Sequence, residues 1–269
     1  MEMGRKVLGV NKMTTREAIQ GELGLNRLSS RRVLLRLRFW SKLITLTDKT
    51  RLVYQIYKKR RQDFVRAGKK DKKNWCYWTW KYLKELGLEH IWESEDLERL
   101  GKKNFDSLVK TVIERKEEQD WIERMKQKPK LRLYRKLKDR LVLEDYVIKF
   151  ERGRRKFFTR LRCGTNHLRI ERGRWVGERE EERVCNVCLS NEVENEIHYL
   201  LRCPMYVKER VKMFEKIRQE CKLEYVESMN EDWQLGVLIG QGLRNNRDKI
   251  QNTVMEYMKN ANKIRKIYG

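Results

Sequence analysis

Four residues in the C-terminal third of the chain have types and spacing that suit metal chemistry: Cys185, Cys188, His198 and Cys203. Two residues separate the first pair, nine lie between Cys188 and His198, and four lie between His198 and Cys203. Three thiolates and one imidazole form the donor set of a closed, tetrahedral Zn2+ site. A Cys-x2-Cys pair alone also arises in turns and redox motifs. Here it is followed by a His-x4-Cys pair, and four of the chain's six cysteines and three histidines fall within nineteen residues. The residues between them, Asn186, Ser190, Asn191, Glu192, Glu194, Asn195 and Glu196, are too polar to build a core. A segment of this length buries too little apolar surface to offset its chain entropy, whereas a structural Zn2+ contributes about 10–16 kcal/mol. Four protein ligands leave no position for water or substrate, so the expected site is structural rather than catalytic. Three thiolates on one Zn2+ leave a net negative charge, which Arg183 and Arg202 either compensate or ignore by facing solvent.

The elements that must carry these residues read as helices. Only two prolines occur, Pro129 and Pro204, and apolar residues recur at helical spacing throughout. Thr14 with Glu17 reads as a capping box, opening a helix that stops near Gly24. A second helix from Ser30 aligns Val33, Leu34, Leu37, Trp40 and Ile44. Asp48 is placed to cap a third, with Leu52, Ile56 and Tyr57 on its apolar face. The stretch 67–74 is a polar break. After it, Trp75, Trp78, Tyr82 and Leu86 form a stripe that reads as the buried side of an amphipathic helix in preference to a base-stacking platform. A long charged helix is expected over 104–127, basic helical segments over 130–162, and turns or a short hairpin over 164–177. Beyond Pro204 a helix aligns Val207, Val211, Phe214 and Ile217, and a last one covers 246–267.

Charge is distributed unevenly. Residues 1–162 hold 45 Lys and Arg against 22 Asp and Glu, and residues 163–269 hold 19 against 17, within a total of +25. A basic half of this size implies a polyanionic partner, and RNA or DNA, single-stranded by preference, is the expected one. Arg162, Arg169, Arg172 and Arg174 are candidates for phosphate contacts, and Trp175 for base stacking. The runs Lys58–Arg61 and Arg152–Lys156 read as nuclear import signals, solvated helix faces or phosphate contacts. No apolar stretch approaches membrane-spanning length and the first residues carry no signal-like run, so no membrane role is expected. The six cysteines, three of them assigned to metal, suit a reducing interior, nuclear or cytoplasmic. Cys163 and His167 form a weaker second pair, set aside because the fourfold set is complete. His90, beyond the Gly87 helix stop, reads as packing or exposed. The acidic pairs Glu95-Asp96 and Glu144-Asp145 are adjacent in sequence, so on a helix they diverge by about 100° and do not form a two-metal site. No nucleophile elbow or phosphate-cradling loop is present, and the chain on its own reads as a non-enzyme.

The run Leu161-Arg162-Cys163-Gly164-Thr165-Asn166, then Ile170-Glu171-Arg172-Gly173-Arg174-Trp175, then Arg183-Val184-Cys185-Asn186-Val187-Cys188 and Val193-Glu194-Asn195-Glu196-Ile197-His198 through Cys203-Pro204 resembles a known region. It is similar to the zinc knuckle that follows the reverse transcriptase domain in open reading frames of non-LTR retrotransposons. Ala18 through Gly24 and on to Trp40 resembles the helices after the polymerase in the same proteins. The resemblance is specific over about 161–206 and diffuse over 14–160. It implies a detached C-terminal piece that binds and positions, with a reverse transcriptase core as a further partner. No Tyr/Phe-x-Asp-Asp element occurs, so polymerase chemistry is not implied for this chain, and neither is the family's endonuclease. The expected architecture is mainly α, a helical body with a small zinc-knuckle insertion and a short turn or hairpin region before it. Its expected parts are a basic region 1–162, a knuckle region 163–206 and a helical tail 207–269. Two other roles stay open: a zinc-braced structural or protein-interaction domain, and a decayed transposon remnant.

Overall fold

A computed structural model describes residues 1–97, 100–223, 225–240 and 244–268. The fold is mainly α, as expected, with one isolated antiparallel bridge between Val184 and Val193 among the described residues. The helices in chain order are α1 (Glu2–Leu8), α2 (Arg16–Leu23), α3 (Leu28–Ile44), α4 (Leu52–Arg66), α5 (Trp75–Glu85), α6 (Glu89–Ser94), α7 (Lys102–Lys126), α8 (Tyr134–Leu137), α9 (Asp145–Lys149), α10 (Arg152–Arg162), α11 (Arg169–Trp175), α12 (Val207–Cys221), α13 (Glu231–Ile239) and α14 (Arg247–Tyr268).

Packing divides the chain into two compact units, one of Met1–Leu25 with Trp121–Gly269 and one of Asn26–Asp120. These boundaries differ from the expected breaks after 162 and 206. Charge shifts and glycines mark changes of composition, whereas compactness follows apolar burial. The expected tail 207–269 is core: α12 and α13 both pack on α14, and α10 packs there too. Leu235, Leu238, Ile239, Val254, Tyr257 and Met258 are buried in one cluster with Phe158, Leu161 and Tyr199.

In the larger unit, α2 is capped by Thr15, whose hydroxyl accepts from Ala18 N–H at 3.3 Å, one residue later than the Thr14 box predicted. Gly24, at φ 59°, ends the helix as expected. Gly21 is glycine because of a close approach: a Cβ there would lie 2.3 Å from the Tyr134 hydroxyl and 2.7 Å from Trp121. Deeper in this unit Arg162 is fully buried, with its guanidinium on Glu22 at 2.9 and 3.2 Å and on the Ile239 carbonyl.

In the smaller unit, Trp40, Phe64, Leu83, Trp92 and Phe105 form the core, with Trp40 and Trp92 stacked at 5.6 Å. Asp48 does not cap α4. Its carboxylate accepts from Thr50 within the preceding turn, and Leu52 and Ile56 are exposed while Tyr57 and Phe64 are buried. The stripe on α5 is also rotated from its predicted place. Cys76, Thr79 and Leu83 are the buried positions, and Trp75, Trp78, Tyr82 and Leu86 are only partly covered. Periodicity fixes an apolar stripe to about one residue, and three consecutive aromatic-rich turns leave its centre undetermined.

Candidate metal centre

The segment 183–203 holds the four predicted ligands in two local devices. The first is a minimal hairpin. The Cys185 N–H donates to the Glu192 carbonyl at 2.8 Å, and the Glu194 N–H donates to the Arg183 carbonyl at 2.9 Å, either side of the Val184–Val193 bridge. Leu189 and Asn191 turn the chain through left-handed conformations, at φ 55° and 58°. This hairpin lies inside the ligand segment. Of the two alternatives expected over 164–177, turns or a short hairpin, the structure has a turn, with Gly164 at φ 60°, followed by α11.

The second device is a π-helical turn, His198–Arg202. The Cys203 N–H donates to the His198 carbonyl at 2.7 Å, closing a five-residue loop. On a regular α-helix, residues five apart point about 140° away from each other. The wider turn brings both onto one side, a use of π geometry common at functional sites. Asn195 starts the turn by accepting the His198 N–H at 2.9 Å.

Together these devices gather one ligand atom each from Cys185, Cys188, His198 and Cys203 within 4.8 Å of one another. Cys188 Sγ lies 3.4 Å from His198 Nε2. In a tetrahedral Zn2+ site, sulfur–nitrogen edges are about 3.5 Å and sulfur–sulfur edges about 3.8 Å. The 3.4 Å pair matches such an edge, and the four donors lie close enough together to hold one metal ion. Cys185, His198 and Cys203 are buried, so the cluster faces inward.

The hydrogen bonds around the cluster orient it. Glu192 Oε2 lies 3.1 Å from His198 Nδ1, which fixes the ring and leaves Nε2 for the sulfurs, the carboxylate–histidine arrangement found behind metal ligands. The hydrogen bond to Cys203, then that to His198, pulls the Cys185 thiol down to about 3 against the opposing effect of burial. The same shared proton and burial push the Cys203 thiol up. Three sulfurs this close cannot all carry charge unaided, and a divalent cation is what allows it. Sequence reading passed over Glu192 as a polar spacer. Its signal was its place, six residues before the histidine, across the hairpin from Cys185.

Of the two arginines weighed for charge compensation, Arg183 donates to the backbone carbonyls of Glu178 and Ile170, and Arg202, half exposed, pairs with Glu231 and lies 3.8 Å from Glu192. Arg210, unsuspected from sequence, donates to the Leu200 carbonyl at 3.0 Å and to that of Cys203. Glu194, also unsuspected, is buried, lies 3.7 Å from Cys185 Sγ and accepts from the Arg169 N–H at 2.7 Å. Arg265 of α14 clamps both of its carboxylate oxygens. Burial alone would lower the Arg265 guanidinium, but its hydrogen bonds to the Glu194 carboxylate and the charge there outweigh it and raise it, while burial pushes the Glu194 carboxyl up against the same partner.

The predicted nucleic-acid contacts separate into groups. Arg162 is removed from the surface by its burial against Glu22. Arg169 is spent on both oxygens of Glu178, at 2.7 and 2.6 Å, and Arg174 on Glu171. Arg172 is exposed, and among the described residues no carboxylate pairs with it. Trp175 is 47% exposed, with Lys130 Nζ 6.0 Å from its ring centroid, and Val176 beside it is open to solvent. Positive charge in a sequence does not distinguish a buried partner of Glu22 from a free surface cation. Cys163 is buried and His167 exposed, and neither joins the cluster.

Comparison with family models, with curated proteins and with solved structures finds no match to this chain. Among the described residues no helix is long and apolar enough to cross a membrane.

Proposed function

We propose that this chain is a nucleic-acid-binding accessory module in which Cys185, Cys188, His198 and Cys203 hold a structural Zn2+. When bound, the ion would close the segment 183–203 into one shape, with no coordination position left for a reaction. The observation that carries the reading is the tie between that segment and α11. Ile170 N–H donates to the Glu194 carbonyl at 3.1 Å, and Arg169 N–H to the Glu194 carboxylate. Metal-ordered backbone thus sets the helix that exposes Arg172 and Trp175, one cation for phosphate and one ring for a base. The basic excess over residues 1–162 supplies the long-range attraction. The resemblance of 161–206 to the knuckle after a non-LTR retrotransposon polymerase supports the same reading, as a part that binds and positions while chemistry lies elsewhere.

The test is fluorescence anisotropy of a labelled single-stranded oligonucleotide titrated with the full chain at increasing salt. With about four phosphates engaged, log affinity falls by about 2.8 per log unit of salt. A flat salt response contradicts the proposal. A second reading, a zinc-braced protein-interaction domain, is favoured by the adjacent exposure of Trp175 and Val176. Arg172→Glu separates the two, since it weakens oligonucleotide binding under the first and leaves it unchanged under the second.

A further inference from the structure

Within the unit Asn26–Asp120, a shallow groove of about 400 Å3 is lined by Arg32, Leu35, Arg36, Trp75, Trp78 and Tyr82. Arg32, Leu35 and Arg36 stand at steps of three and one on α3, and Trp75, Trp78 and Tyr82 at steps of three and four on α5, which packs against it. Each series is therefore one helix face, and the two faces meet as walls.

Its composition points to a ligand. Three aromatic rings and two guanidinium groups line it, and no carboxylate does. Around it, residues 27–84 carry 19 Lys and Arg against three Asp and Glu, whereas 85–120 carry six against eleven. Helix α3 contains no acidic residue at all. Of the three aspartates, Asp48 accepts from Thr50, Asp63 faces Lys59 and Asp71 accepts from the Lys73 N–H, and none of them lines the groove.

The rings are held while the three residues stay partly exposed. Trp78 Nε1 donates to the Lys72 carbonyl at 3.0 Å, and Tyr82 sits 5.9 Å from it, tilted by 37°. Arg36 donates to the Trp75 carbonyl at 3.3 Å with its guanidinium 5.4 Å from that indole, and Lys81 Nζ lies 5.2 Å from the Trp78 ring. Arg32 is exposed and unpaired among the described residues. A purely structural aromatic stripe would be covered, and a purely solvated basic face would not carry three indole and phenol rings.

We infer that this groove is a second, metal-independent subsite that stacks unpaired bases on Trp75, Trp78 and Tyr82 and holds the adjoining phosphates with Arg32 and Arg36. The inference rests on the nucleic-acid reading above and assigns part of the binding to the unit Asn26–Asp120, which does not carry the Cys3His element. Fixed rings accept any base, because every base has a π face, so the subsite is sequence-tolerant. An acidic peptide would satisfy the guanidinium groups but leave the ring faces without flat partners.

The test uses the full chain and labelled dodecauridylate, with Arg172→Glu as the marker for the α11 surface. Trp78→Ala weakens binding by at least about fivefold, the loss of one stacked base, with the salt slope unchanged, and Trp78→Phe restores most of it. Arg32→Glu, on an exposed side chain, weakens binding and lowers the salt slope by about 0.7 or more. If both groove variants bind like the parent while Arg172→Glu binds weakly, the inference fails and the proposed function stands. If the groove variants bind weakly and Arg172→Glu does not, the groove stands and the α11 surface falls. No measurable binding by the parent overturns both. Equal displacement of the oligonucleotide by polyglutamate of matched charge shows a site that reads charge alone, and it overturns the stacking.

Discussion

At the scale of single residues, the cluster depends on side chains of three kinds: donors, orienting groups and charge partners. The four donors were legible in the sequence because ligand chemistry restricts both residue type and spacing. Their orienting groups were not, since a glutamate has no signature until its neighbour across a hairpin is known. Glu192 holds His198 Nδ1 at 3.1 Å. Replacing it by alanine leaves all four donors and lowers metal affinity by about 10- to 100-fold, whereas Cys203→Ser removes a donor and loses far more. Competition with a chromophoric chelator measures both. Glu171 makes a pH prediction. Burial, opposed by Arg174, pushes its carboxyl up to about 7 from 4.5. The folded chain then keeps a proton that the unfolded chain releases. That contribution to stability is full below pH 4.5 and is lost as pH rises through 7. Glu171→Gln therefore flattens the loss of stability between about pH 5 and pH 8, read by urea unfolding at fixed free zinc. An unchanged pH slope contradicts the assignment.

At the scale of elements, helical periodicity was legible, and the ends and faces were less so. Thr15 rather than Thr14 caps α2, and Thr15→Ala is expected to cost about 1 kcal/mol of stability, read by chemical denaturation. Thr14 and Thr15 are adjacent threonines before the same helical run, so only the backbone decides between them. Over 164–177 the glycines at 164 and 177 signalled turns correctly and the hairpin alternative did not form there, whereas the real bridge is a single pair, Val184 and Val193, too short for an alternating pattern. The π turn had no signature beyond the His-x4-Cys spacing itself. A buried ion pair, Glu194 with Arg265, joins the ligand segment to α14. Arg265→Ala leaves a buried carboxylate without its partner and is expected to destabilise the fold by about 3–5 kcal/mol. Arg265→Lys, with one point charge in place of a two-pronged group, recovers only part. A thermal melt of the zinc-loaded protein distinguishes these.

At the scale of the whole molecule, the all-helical character and the basic excess could be read from composition and periodicity. The division into two units could not, because one unit is assembled from both ends of the chain, Met1–Leu25 and Trp121–Gly269. Sequence order hides such an assembly, and its marks are only buried residues such as Ile19 and Ile239 that share a core. The same assembly explains why 207–269 is not a tail. It also places Cys185, Val187 and Cys203 in the main apolar cluster of their unit, so a metal there would brace the core as well as a loop. Loss of the ion would then be felt by α10, α12 and α14 together. The most direct measurement is native mass spectrometry of the purified full chain, paired with its melting temperature before and after chelation. One zinc per chain, lost in Cys188→Ser, with a large fall in melting temperature on chelation, is the predicted result. A chain that folds and melts identically without any stoichiometric metal would contradict the account.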